Sequence, residues 1–214
     1  MTAYSRFMSR LIPFCLSGAL AGCAPSASFA PLSVDPDSYR EQVIEYRHQK
    51  DTFFRESERS PIPAAKRDSF TGLEYFPPDP RYRVIGRLKP AEKPRHVVAA
   101  GHAGDAEKLV SLGDIAFTLD GTPVEFEVWQ KGNDRPMVIF RDGTSGRETY
   151  GTGRYVDLEP AGDGLYIIDF NFAYNPYCAY DPARYLCPLP PPGNVLAVPV
   201  RAGEMLWKGE SSHE

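Results

Sequence analysis

The 214-residue chain is 42% hydrophobic and carries 24 Lys and Arg against 28 Asp and Glu, a formal net charge of −4. That balance gives no basic footprint for nucleic acid and no polybasic patch for anionic lipid headgroups. The length fits one domain with an extension, enough to bury a sizeable core, and the 21 prolines cluster in ways that mark rigid loops.

The N-terminus opens with Arg6 and Arg10 and no acid, followed by the mostly apolar Leu11–Leu20. A basic start before a short apolar run is the pattern of a secretory signal. The run is about ten residues, short of the roughly 20 that cross a bilayer as a helix. It ends Leu20-Ala21-Gly22-Cys23, which resembles the lipobox of bacterial lipoproteins. The resemblance implies a diacylglycerol on Cys23 and cleavage just before it. Residues 1–22 are then a signal peptide, and 23–34 the lipidated cysteine with a flexible Ala-, Ser- and Pro-rich tether. The alternative is ordinary cleavage near Ala30, giving a soluble periplasmic protein. Ala24 stands where an Asp would favour inner-membrane retention. The expected location is therefore the cell envelope, lipid-anchored at the outer membrane and facing the periplasm.

A single domain is expected over 35–206. Ser38 and Glu41 have the spacing of a capping box, behind Asp35-Pro36-Asp37. Tyr39, Val43, Tyr46 and Phe53, joined by Ile44 and Phe54, recur at helical spacing and predict one amphipathic helix. Arg47 and Asp51, four apart, are expected to pair on its surface, and Pro61 prevents continuation. From Phe70 onward the signals are strand and turn. Val124, Phe126 and Val128 alternate with Glu125, Glu127 and Trp129, as in a half-buried antiparallel strand. Asp120-Gly121 reads as the hairpin turn to Ile115–Leu119. Arg81–Leu88, Arg95–Ala100, Met137–Phe140, Arg154–Leu158, Leu165–Phe170 and Val195–Val200 complete eight short strands. The expected fold is mainly β within α+β: an antiparallel sandwich or barrel-like domain with one N-terminal helix. Residues 207–214 read as a polar, loose tail.

Cys15 leaves with the signal and Cys23 takes the lipid, so Cys178 and Cys187 remain. In an exported protein they are most simply a disulfide. A metal or redox pair is the alternative, although C-x-x-C spacing is lacking.

Two stretches are dense in Gly, Tyr, Asn and charge: Phe140–Tyr155, and Asp169–Tyr180 with Cys187–Pro191 and Asn194. Together with Arg47, Lys50-Asp51, Ser60-Pro61, Phe70–Pro77 and Ala202-Gly203-Glu204, they resemble the bacterial family of unknown function DUF1684. The resemblance spans about 47–204. It is most specific at Asp169-Phe170-Asn171, Ala173-Tyr174-Asn175-Pro176 and Cys187-Pro188-Leu189-Pro190-Pro191. Gly101-His102-Ala103-Gly104 departs from it, replacing a Ser- or Thr-rich turn. The resemblance implies a common fold and brings no catalytic residues.

A period of two sets Leu165, Ile167, Asp169 and Asn171 on one strand face, apolar first and polar last. One reading gathers Asp142, Glu148, Arg154, Asp169, Asn171 and Asn175 at a rim, with Tyr150, Tyr174 and Tyr180 around it, to bind a small polar molecule or glycan. The other has these polar groups satisfying irregular buried backbone, with Arg154 neutralising Asp169 or Glu148.

Catalytic patterns are weak. Gly143-Thr144-Ser145-Gly146 is not G-x-S-x-G. Gly151-Thr152-Gly153 lacks the third glycine of a dinucleotide site. His96 and His102 do not have helical zinc spacing, and neither metal nor cofactor is implied. Pro188–Pro192 can be a polyproline ligand or a packed loop. The leading expectation is a non-catalytic envelope protein, with the membrane as partner through its anchor, binding a small molecule, glycan or envelope protein. The alternative is a hydrolase or lyase acting on an envelope carbohydrate or ester, using two of Asp142, Glu148 and Asp169 as acid and base.

Overall fold

The computed structural model describes residues 32–100 and 106–209. Cys23, the signal segment and most of the tether lie outside the described residues, as do the Gly101–Gly104 loop with His102 and residues 210–214.

Six antiparallel strands close into a barrel: β1 (Arg83–Pro90), β3 (Ala106–Leu119), β4 (Thr122–Lys131), β5 (Met137–Phe140), β6 (Arg154–Gly162) and β7 (Leu165–Asp169). The order runs β1-β7-β6-β5-β4-β3, and β3 pairs back to β1 through Gly86↔Phe117 to Pro90↔Gly113. Closure leaves these six strands without a free edge, which is how barrels remove the hazard of unpaired strand groups. A further strand, β2 (His96–Ala100), extends the sheet along β3 outside the barrel. The β3–β4 hairpin turns at Asp120-Gly121, whose φ values of 47° and 76° are the left-handed conformation that a two-residue hairpin turn requires.

Alternation decides what fills the barrel. Val124, Phe126 and Val128 of β4 point inward with Ile115, Phe117, Val138, Phe140, Val156, Leu158 and Ile168. Phe126 and Phe140 are stacked, and Phe140 meets Phe170 edge-on at 5.2 Å between centroids. Burying each such ring is worth roughly 1.5–3 kcal/mol. Trp129, on the opposite face of β4, is nevertheless buried, because Leu109, Met137, Ile139 and Tyr155 form a second apolar cluster outside the barrel.

Helix α1 (Pro36–Glu56) packs on the connecting segments rather than on the strands. Tyr39 and Val43 are buried near its start, and Phe54 near its end joins Ile62, Phe70 and Tyr180. A single-turn helix, α2 (Ala64–Arg67), follows it.

Several expectations change. The cap of α1 is Asp35, whose carboxylate accepts the Ser38 N–H at 2.9 Å. Pro36 occupies the first turn, where its missing N–H costs nothing, so Ser38 lies inside the helix. Arg47 and Asp51 do not pair: Arg47 donates to the carbonyls of Phe76 and Asn171, and Asp51 accepts the Leu73 N–H. Orphan loop backbone outcompetes a surface ion pair worth only a few tenths of a kcal/mol. Val195–Val200 is not a strand. It touches the barrel through the isolated bridge Arg141↔Val195 and backbone bonds to Arg141 and Gly143. At the C-terminal end Trp207 packs on Tyr180 and Lys208 pairs with Glu74, so the tail is fastened at least to there.

Candidate functional site

The polar residues singled out in the sequence do not gather at one rim. They fall into three groups. In the first, Arg154 starts β6 with its guanidinium buried, 2.8 Å from an Asp142 oxygen. The same guanidinium donates to the carbonyls of Val200, Ala202 and Glu204, pinning that segment across the barrel end. Asp142 also accepts the Thr144 N–H and hydroxyl. Arg154 thus neutralises Asp142 rather than Asp169 or Glu148. Burial pulls its pKa down, and the Asp142 carboxylate opposes that fall.

The pinned segment ends at Glu204, which is 1% exposed. Its carboxylate accepts the Asn175 N–H at 2.8 Å and the Tyr180 hydroxyl at 2.5 Å, and it forms an ion pair with Lys50 of α1. Gly203 allows this approach: its φ is +77°, and a Cβ there would lie 2.5 Å from the Ala173 carbonyl oxygen.

The second group stands where β7 leaves the barrel. Asp169 accepts the Tyr39 hydroxyl, the Asn171 N–H and the Asn171 side-chain amide, and Arg83 faces it at 3.3 Å. Asn171 holds both the N–H and the carbonyl of Asp79. Burial raises the Asp169 pKa, while these donors act to lower it. The third group is on the surface, where Arg201 grips Glu148 through both carboxylate oxygens. Tyr150 is half-buried, and its carbonyl accepts the Gly153 N–H. Each carboxylate named for hydrolysis, Asp142, Glu148 and Asp169, is therefore already engaged by a cation.

An open cleft of about 1000 Å³ lies between α1, the β4–β5 turn and the disulfide loop. Helix α1 contributes Tyr46, Lys50 and Phe53, and the strands contribute Met137, Tyr155 and Asp157. Tyr174, Tyr177, Tyr185 and Cys187 form the remaining wall. The Cys178–Cys187 disulfide ties that wall, and the Tyr155 hydroxyl donates to the Pro188 carbonyl at 2.8 Å. Tyr177 and Tyr185 meet edge-on at 5.3 Å. The Tyr174 hydroxyl donates to Asp157 at 3.1 Å, and the Lys50 ammonium sits 5.0 Å from the Tyr174 ring centre. Asp157 is open to solvent on one side, but enough protein crowds its carboxyl to raise its pKa by desolvation. Of the residues proposed from sequence for ligand binding, only Tyr174 lines this cleft. The others were missed, although Tyr46 and Phe53 gave a signal: α1 carries more apolar surface than one buried stripe uses, and Tyr46 is left 38% exposed.

Among the described residues no group of His, Cys, Asp and Glu could hold a metal ion, and no helix is long and apolar enough to cross a membrane. The profile of a family described as "Protein of unknown function (DUF1684)" matches residues 68–205. No curated protein matches the chain. Among solved structures, the solution NMR structure of an uncharacterised protein from Haloarcula marismortui is similar, with a TM-score of 0.63 and 38% identity, over 79% of this chain and 95% of that one.

Proposed function

The chain belongs to the DUF1684 family, and from that premise we propose that it is a non-catalytic envelope lipoprotein that binds a saccharide in the cleft between α1 and the disulfide loop. The observation that carries this reading is the cleft itself. Its exposed tyrosines offer apolar ring faces with polar tips, a surface suited to a molecule with one apolar face and a polar edge. A pyranose is such a molecule. The volume is at the upper end of small-ligand sites, which are usually ~300–1,000 Å³. The networks around Arg154 and Asp169 support the reading indirectly. They are hydrogen-bonded networks that stiffen the barrel end and hold Asp142 and Asp169 each against an arginine rather than free to act as acid or base.

A thermal-shift screen of the purified chain, disulfide intact, against envelope sugars and peptidoglycan fragments tests it. A ligand at 100 times its dissociation constant adds ~2.7 kcal/mol, which for a domain of this size is a rise of roughly 5–11 °C. The expected result is a saturable rise that Tyr177→Ala abolishes. No shift with any saccharide, or a shift indifferent to Tyr177→Ala, would overturn the proposal.

The anchor is part of the same reading and rests on Leu20-Ala21-Gly22-Cys23. Metabolic labelling with a palmitate analogue followed by membrane fractionation checks it. Label should follow the wild type into the outer membrane, and Cys23→Ser should leave the protein unlabelled and soluble. An unlabelled wild type would remove the anchor.

A further inference from the structure

We infer that the cleft reads its saccharide through Asp157, whose carboxylate accepts hydrogen bonds from neighbouring unsubstituted hydroxyls of the sugar; this rests on the saccharide reading above. Strand β6 alternates, so Val156 and Leu158 enter the barrel while Tyr155 and Asp157 face outward. That outer face is otherwise apolar: Tyr155 packs with Leu109, Trp129, Met137 and Ile139, and Met137 stands opposite Asp157 in the β5–β6 ladder. Asp157 thus puts a carboxylate at the edge of an apolar cluster, where it lines the cleft and stays open to solvent on one side. A carboxylate in that place loses hydration, which disfavours its ionised form. Asp142 and Asp169 each face an arginine, whereas Oδ1 of Asp157 is met by an uncharged group, the Tyr174 hydroxyl. A carboxylate can accept about four hydrogen bonds, so this hydroxyl orients Asp157 and leaves capacity for a ligand.

The groups beside Asp157 suit the same ligand. Tyr46 of α1 is close enough to both Asp157 and Tyr177 for each to act on its ionisation, so the carboxylate and the tyrosine wall share one region of the cleft. Lys50, held by Glu204, is within the field of Asp157 as well, and an ammonium brings N–H donors for the sugar's oxygens. Tyr177 and Tyr185 supply the edge-to-face ring pair. A pyranose lying on those rings directs its hydroxyls out from the ring edge, and two adjacent hydroxyls match the two oxygens of a carboxylate. A hydrogen bond to an ionised acceptor is roughly twice as strong as one between neutral groups. A sugar whose hydroxyls are blocked offers the same apolar face and no donor to Asp157.

Titration calorimetry on the full chain, with its disulfide intact, tests this by comparing maltotriose, cellotriose and mannotriose each with its per-O-methylated form. At least one free trisaccharide should bind, and its methylated form should bind about tenfold more weakly. Asp157→Asn should weaken the free sugar by about the same factor and leave the methylated form unchanged, with a thermal melt confirming that the variant is folded. Tyr177→Ala should weaken free and methylated forms alike. If a free trisaccharide binds and Asp157→Asn keeps its affinity, or weakens both forms equally, the Asp157 inference falls and the saccharide reading stands. If none of the six compounds binds, both fall.

Discussion

Arg154 is the residue on which most of the barrel end depends. It is 1% exposed and makes one ion pair and three carbonyl hydrogen bonds. Arg154→Met removes the cation and leaves Asp142 buried without it, a loss of roughly 3–5 kcal/mol, read as a lower urea midpoint. The double variant Asp142→Asn, Arg154→Met should recover part of that loss, because no stranded charge remains. Asp157 makes a prediction of opposite character. Its folded pKa is raised by desolvation, so between the unfolded value near ~4 and the folded one the native state holds the extra proton. Stability from this group is therefore greatest at low pH and falls as pH rises through that window. Asp157→Asn keeps an acceptor for Tyr174 and cannot ionise. It should be more stable than wild type at pH 7, with the difference shrinking toward pH 4 in paired thermal melts. The polar residues at Asp142, Arg154, Asp169, Asn171 and Asn175 stood out in the sequence because they interrupt Gly- and Tyr-rich stretches, and all are buried. Their partners did not stand out. Arg154 meets Ala202 across 48 positions, and Tyr39 meets Asp169 across 130, separations at which no local pattern operates.

Among the elements, the disulfide loop forms one wall of the cleft. The Cys178–Cys187 bond closes nine residues of separation. Chain entropy for a loop of that size gives about 2.7 kcal/mol, or roughly 5–11 °C in melting temperature. Cys178→Ser with Cys187→Ser should lower the melting temperature by that much while the β-sheet circular dichroism stays unchanged, since no barrel strand lies within the loop. Saccharide affinity should drop with it. An unchanged affinity would show that the Tyr155–Pro188 hydrogen bond alone holds the wall. The strands were legible to different degrees. β4 follows its alternation nearly end to end, and β5 has the bounds read for it. β3 was read only from Ile115, because its first half pairs with β2 outside the barrel and Leu109 packs in the outer cluster. Val195–Val200 has strand composition, yet Pro199 and the pull of Asn194, whose side chain joins Glu127 to Ile139, keep it a loop.

For the whole molecule, sandwich and barrel were equal in the sequence because the same hairpins build both. The decision rests on β1, which pairs with β7 on one side and β3 on the other. That closure is non-local and leaves no compositional mark. The cleft was illegible for a related reason: its walls come from α1, the β4–β5 turn and the disulfide loop, which only the folded barrel brings together.

Helix α1 has one further consequence. Its 21 residues, at 1.5 Å each, make a strut about 30 Å long. Asp35 stands at the end that continues into the N-terminal segment, and Lys50, Phe53 and Phe54 border the cleft at the other. On the lipoprotein reading proposed above, the helix acts as a stand-off that holds the cleft clear of the membrane surface. A bulky polymer could then thread past the mouth without colliding with the point of attachment.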